Sequence, residues 1–277
     1  MLDTVYFNGV YTSREKAALH VSDLSILRGY GVFDYFRYEG GEPRFISDHL
    51  ARFRRSADGL RLPLDLSDRE LEEIVRELIG RNTVGDGGIR FVLTGGYAED
   101  GYTPQAPNLL ALPYAFSAPA PHFYQKGCTA LLHVYERQLP QVKSIDYIEG
   151  IRLQPTLKKV GAQYPLYVDR DDHVRESDRS NFFIVRDGVL MTPGENVLLG
   201  ITRKHLLRVA ASLGIATQEG SVSVTDLLEA DEAIICSSVK GAMPITKVLG
   251  GDRFATRDYG SPGPVTRQLM AAWREYV

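Results

Sequence analysis

Apolar and polar residues alternate in some stretches of the chain and recur at helical spacing in others, and these two periods predict its elements. TVYFNGVY reads as a hairpin turning at Asn8-Gly9, a pair suited to the positive φ of a tight turn. GVFDYFRYEGGEPRF reads as two short strands joined at Gly40-Gly41. Leu50, Phe53 and Ala57 are spaced for a helix over residues 46–59. Leucine and isoleucine repeat at helical intervals over 68–79, with Ser67 or Asp68 as the cap. GIRFVLTGGY and LLALPYAF complete this half as buried strands.

The texture changes at YAFSAPAPHF, residues 114–123, where alanine, serine and proline favour an extended connector. The boundary is placed there, between a small N-terminal α/β domain (1–113) and a larger C-terminal domain (124–277). The second opens with the strand-like CTALLHVYER, followed by a helix across 147–160 and strands at PLYVD, FFIVRDG and VLMT. A helix over 202–213 stops at Gly214, and the strand EAIICSS and the helix TRQLMAAWREYV follow. The fold class expected is α/β, of the α+β two-domain kind.

Bulk properties narrow the function by exclusion. The chain has 277 residues, 44% apolar and 24% charged, with a net charge of −3. No basic block points to nucleic acid. The longest apolar stretch, 108–116, is too short to span a bilayer and contains Pro113. Cys128 and Cys236 stand in unrelated contexts, which suits a reduced, cytoplasmic setting. The six histidines form no HxH or HExxH set, so no metal site is expected.

Four segments of the second half carry chemistry: Lys143 in LPQVKSIDY, Glu176 in VRESDRSNFF, LLGITR at 198–203 and SSVKG at 237–241. A lysine attacks an aldehyde only after losing its charge, so it needs a site that lowers its pKa. Lys158, Lys159, Lys204 and Lys240 share that chemistry, and Lys143 is separated from them by its neighbourhood. Glu176 can face a protonated pyridine nitrogen, or be a solvated acid at a strand end. Asn181 can orient it, or end a turn. Gly200-Ile201-Thr202-Arg203 turns from irregular chain into helix, where free N–H groups and the helix dipole form a phosphate cup. Ser238 and Val239 lie at a second hydroxyl-rich strand end, and Arg52 can add a counter-charge. A lysine, an acid and two hydroxyl-bearing turns are what pyridoxal phosphate requires.

In order and spacing these pieces resemble the fold-type IV pyridoxal-phosphate enzymes, which include branched-chain aminotransferases, D-amino acid aminotransferases and aminodeoxychorismate lyases. The resemblance runs from VYFNG to GPVTRQLMAAW. It implies a pseudo-barrel C-terminal domain, a homodimer and pyridoxal 5′-phosphate held between domains. It implies further that Lys143 is the Schiff-base lysine and proton shuttle, and Glu176 the partner of the pyridine nitrogen. Arg52, Ile201, Thr202, Ser238 and Val239 would hold the phosphate, and Tyr147 the ring oxygen. The chain departs from the usual pattern at Asp178 and Arg179, and in the short loop PGENV.

Substrate choice turns on arginines. Familiar D-amino acid aminotransferases hold the α-carboxylate with an Arg-x-His pair, whereas the matching stretch here is GGYAEDGYTPQ. Typical branched-chain enzymes carry a tyrosine and a glycine where this chain has Arg28 and Tyr35. Arg28, from the neighbouring subunit, and Arg179 are the expected substitutes, since a guanidinium binds a carboxylate through two parallel hydrogen bonds. Surface ion pairing, such as Arg179 with Asp178, is the alternative role for both. Phe33, Tyr35 and Lys240 complete the expected substrate residues. The pattern resembles D-amino acid aminotransferases with an arginine-based carboxylate trap, exchanging amino groups between amino acids and keto acids. A branched-chain L-amino acid or (R)-amine transaminase, an aminodeoxychorismate lyase, and a non-catalytic binding protein on the same scaffold are the rivals.

Overall fold

The structure, a computed structural model, describes residues 1–276. The chain forms two compact units, Met1–Ser117 with Val142–Asp146, and Ala118–Gln141 with Tyr147–Val277.

The first unit begins with the hairpin β1 (Thr4–Phe7) and β2 (Val10–Ser13), turned through Asn8 and Gly9 at positive φ. The short helix α1 (Leu24–Arg28) leads into β3 (Gly31–Glu39), which returns through Gly40-Gly41 to β4 (Glu42–Pro43). Helices α2 (Ile46–Gly59) and α3 (Asp68–Asn82) follow, then β5 (Gly87–Thr94) and β6 (Leu109–Ala115). Ser67 caps α3 in a reciprocal box with Glu70. The six-stranded sheet runs β2-β1-β6-β5-β3-β4. Its core joins Phe36 and Phe91 to Leu50 and Phe53 of α2 and Leu71 and Val75 of α3. β3 fills the whole expected stretch before Gly40-Gly41. Val32, Asp34, Phe36 and Tyr38 are buried along it, whereas Phe33, Tyr35 and Arg37 are half-buried.

The second unit opens with α4 (His122–Lys126) and β7 (Cys128–Val134). The helix expected over 147–160 is two helices, α5 (Ile148–Arg152) and α6 (Gln154–Val160), hinged at Leu153. Pro155 explains the break: it has no N–H to give the Ile151 carbonyl. Next come β8 (Tyr164–Val168), β9 (Asn181–Arg186), β10 (Val189–Pro193), α7 (Ile201–Ser212), β11 (Thr217–Gly220) and α8 (Val224–Glu229). The chain ends with β12 (Glu232–Ser237), β13 (Gly241–Leu249), β14 (Arg257–Asp258) and α9 (Pro264–Tyr276). Val277, the last residue of the expected C-terminal helix, lies outside the described residues.

Seven strands run β11-β10-β9-β12-β13-β7-β8, and β14 pairs with β13. Ala233 and Ile235 of β12 enter one core with Val174 and Leu227, while Ile234 and Cys236 enter another with Leu206 and Leu269. Burial on both faces accounts for the unbroken apolar run AIIC. Among the described residues, no helix is long and apolar enough to cross a membrane.

Candidate active site

Lys143 belongs to the first unit because its backbone is stitched to β3. Its carbonyl accepts from Phe33 N–H at 2.9 Å, Ile145 N–H donates to Gly31 O, and Ser144 pairs with Val32. Its own N–H donates to Ser56 Oγ on α2 at 3.1 Å. Gly31 permits this approach: a Cβ there would come within 2.8 Å of Leu93 O and 3.1 Å of Ile145 Cδ1. The lysine Nζ lies 4.5 Å from the centre of the Phe33 ring. Tyr35 follows on the same side of β3, where burial raises its phenol pKa. Arg90, paired with Tyr35 across the sheet, lies over the Phe33 and Tyr114 rings.

Arg52 is buried on α2. Asp34, on the buried side of β3, accepts from its Nε at 2.8 Å and its Nη2 at 2.7 Å. His49, one turn earlier, shares Asp34 Oδ1 at 2.7 Å. Burial alone would raise the Asp34 pKa, but the charges and hydrogen bonds of Arg52 and His49 hold it well below the carboxylate range. Burial lowers the His49 pKa, against the pull of Asp34. Asp34 is therefore an anion and His49 neutral at pH 7, so His49 donates from Nδ1. Arg28 is exposed at the end of α1, its Nη1 donating to Leu27 O at 2.9 Å.

In the second unit, Glu176 is buried between donors. Its Oε1 accepts from Arg137 Nη1 at 2.8 Å, and its Oε2 from Leu198 N–H at 3.1 Å and Asn181 Nδ2 at 3.3 Å. Asn181 Nδ2 also donates to Leu198 O at 2.8 Å, tying the acid to the segment that enters α7. That helix has Gly200 as its N-cap, a residue with no side chain to cap the first turn, and Ile201 and Thr202 are buried there. A cavity of about 250 Å³ opens on Glu176, lined also by Tyr135, Arg137, Tyr167, Arg175 and Asn196. Tyr147 is half-buried at the N-cap of α5.

Strand register places the second hydroxyl turn beside the acid-bearing turn, because Cys236 pairs with Asn181. The turn is closed by Lys240 N–H donating to Ser237 O, and its Lys240 carbonyl accepts from Tyr124. Ser238 and Val239 form its half-buried tip. Lys240 Nζ donates to Ser180 Oγ at 3.0 Å and lies 4.5 Å from the Tyr164 ring centre. Burial, and then the nearby Arg179 charge, bring its pKa down to about 8, although Asp178 pulls the other way. Arg179 is 57% exposed and donates through Nε to Asp178 Oδ2 at 3.0 Å, while the Asp178 carboxylate is only 3% exposed.

The expected residues thus gather into one set in each unit: Lys143, Arg52, Phe33 and Tyr35 in the first, and Glu176, Asn181, Ile201, Thr202 and Lys240 in the second. Arg179 does form the expected alternative pair with Asp178, but through Nε alone. Arg137, Asp34, His49, Ser56 and Ser180 were not anticipated. Asp34 had a signal: it is the one charge among the inward positions of an alternating strand, and His49 and Arg52 are spaced to meet it from one helix face.

The profile of the family described as amino-transferase class IV matches residues 31–248. A D-alanine aminotransferase of Staphylococcus epidermidis is 31% identical over 280 residues, covering 99% of this chain and 97% of its own. The branched-chain amino acid aminotransferase of Escherichia coli superposes with a TM-score of 0.90 at 25% identity, covering 99% of this chain and 94% of that one. The T.th. branched-chain amino acid aminotransferase complexed with N-(5′-phosphopyridoxyl)-L-glutamate has a TM-score of 0.89 at 25% identity, covering 99% and 93%.

Proposed function

This chain belongs to the class IV aminotransferases, and we propose that within them it transfers the amino group of a D-amino acid to a 2-keto acid. Enzymes of this class use pyridoxal 5′-phosphate. The donor set fits that molecule. A buried carboxylate with fixed orientation suits a pyridinium, a buried helix start without a side-chain cap suits a phosphate, and a lysine stands over an aromatic wall.

When bound, the cofactor supplies an electrophilic aldehyde carbon and an electron-withdrawing ring. Lys143 would anchor it and, once displaced by the amino donor, would hold and move the proton taken from the substrate α-carbon. Glu176 keeps the ring nitrogen protonated, with Asn181 and Arg137 holding the carboxylate in place. The first-turn N–H groups at Ile201 and Thr202, the Thr202 hydroxyl, Ser238, the Val239 N–H and Arg52 hold the phosphate. Tyr147 donates to the ring oxygen. Amino donor and acceptor occupy the same site in turn.

The observation that carries the substrate reading is the Arg179–Asp178 pair. Asp178 accepts from Nε of a side chain that is largely exposed, which leaves the Nη groups to take an α-carboxylate. Lys240 lies in the same cluster, and Arg28 of a second copy completes the trap. Exposed Ile26 and Leu27 beside Arg28, and exposed Ile148 and Ile151 on α5, are apolar surface suited to that copy. Two buried free thiols suit a cytoplasmic setting.

Separate incubations of D-alanine, L-alanine, L-leucine and L-valine with 2-oxoglutarate, and of D-glutamate and L-glutamate with pyruvate, test the reading. Turnover of the D-forms is expected. Preferential turnover of L-leucine or L-valine would instead establish the second reading, a branched-chain enzyme, which the fold likeness favours. Light scattering in solution should give the mass of a dimer.

A further inference from the structure

The Asp34–His49–Arg52 cluster is the most deeply buried charge arrangement in the first unit, with side-chain exposures of 1%, 2% and 7%. A buried ion pair is seldom a net source of stability, because desolvation of both charges opposes their attraction. Its geometry is specific. Asp34 engages Arg52 side-on, through Nε and Nη2, and does not use the Nη1 end of the fork. His49 adds a donor to the same Asp34 oxygen, fixing the carboxylate from a second side. The helix face carrying His49 and Arg52 also carries Ser56, whose hydroxyl holds the Lys143 backbone.

We infer that Asp34 and His49 are positioning residues for the cofactor phosphate: together they lock the Arg52 guanidinium so that its Nη1 end is presented to that anion. The inference rests on the assignment of Arg52 as a phosphate ligand. A locked guanidinium loses little conformational freedom on binding, and a single carboxylate already compensates its charge before any ligand binds. Removing Asp34 leaves an arginine of the right charge with no fixed direction.

The test compares pyridoxal 5′-phosphate with pyridoxal, which lacks the phosphate, by absorbance titration of the full-length apoprotein. Arg52→Ala should weaken the phosphorylated ligand and leave pyridoxal nearly unchanged. Asp34→Asn should do the same, by roughly tenfold, the scale outer-shell partners reach at metal sites. Added to Arg52→Ala, it should have no further effect. His49→Leu should give a smaller selective loss that His49→Asn, which keeps a donor, restores. Should Asp34→Asn fail to fold, the two His49 variants decide. Equal weakening of both ligands, or of neither, by Asp34→Asn and His49→Leu while Arg52→Ala stays selective overturns the inference and leaves the phosphate assignment standing. An unselective Arg52→Ala removes the assignment and the inference together.

Discussion

Arg137 and Glu176 form an ion pair at 2.8 Å with side-chain exposures of only 17% and 6%. The acid is held from its other oxygen by Leu198 and Asn181, so its direction is set before any ligand arrives. Arg137→Met strips a buried carboxylate of its countercharge. That loss should cost about 3–5 kcal/mol, read as a lowered melting temperature of the full chain. Glu176→Gln in the same background should recover part of it, since the neutral amide needs no cation.

Gly200 is a second point of fit. A Cβ there would lie 2.0 Å from Asn181 Oδ1. Gly200→Ala should displace the Asn181 amide from both Leu198 and Glu176, weakening cofactor affinity measured by equilibrium titration. Gly80→Ala, on the exposed face of α3 with open space around it, should leave that affinity unchanged.

Lys240 predicts a pH dependence. Its pKa of about 8, against an ordinary 10.5, means it is charged below about pH 8 and neutral above. If it helps hold the substrate carboxylate, KM for the amino donor should rise as pH passes through about 8, and Lys240→Met should lose that limb. The sign for stability follows from linkage. Between about 8 and 10.5 the unfolded chain binds the proton more tightly, so stability rises with pH there. Lys240→Met should abolish that rise and melt higher than the parent at pH 7. The measurement must allow for the groups facing Lys240, namely Arg179, Asp178, Ser180, Tyr164, Cys128 and Cys236.

Arg28→Ala and Arg179→Ala each remove a charge-assisted hydrogen-bond donor. Each should raise KM for D-alanine by roughly 10- to 100-fold, corresponding to about 1.4–2.7 kcal/mol. The visible spectrum of the bound cofactor should be unchanged. Normal KM values in both variants would mean that these arginines serve only as surface partners.

Much of the fold is legible from periodicity. The α2 bounds match residue for residue, and the Ser67 cap and Asn8-Gly9 hairpin appear where their side chains require. Three kinds of element escaped. Helices of one or two turns, such as α1 and α8, are too short to display a period. Pro155 divides a run whose leucines read straight through it. The strand β13 contains Pro244, which argues against a central strand, yet it pairs on both sides and absorbs a register shift after Ile245. At the site, spacing in the chain singled out the candidate residues for chemistry. It could not reveal those that position them: Arg137 reaches Glu176 across 39 residues and Ser56 reaches Lys143 across 87. Such pairs exist only after the chain has folded.

The central claim is that Lys143 carries the cofactor. Lys240, whose lowered pKa of about 8 leaves a share of its amine uncharged near neutral pH, is the natural competitor. Borohydride reduction of the holoenzyme, followed by digestion and mass spectrometry, should place the phosphopyridoxyl group on the peptide containing Lys143. A label on the Lys240 peptide, or no labelled peptide at all, would contradict the account.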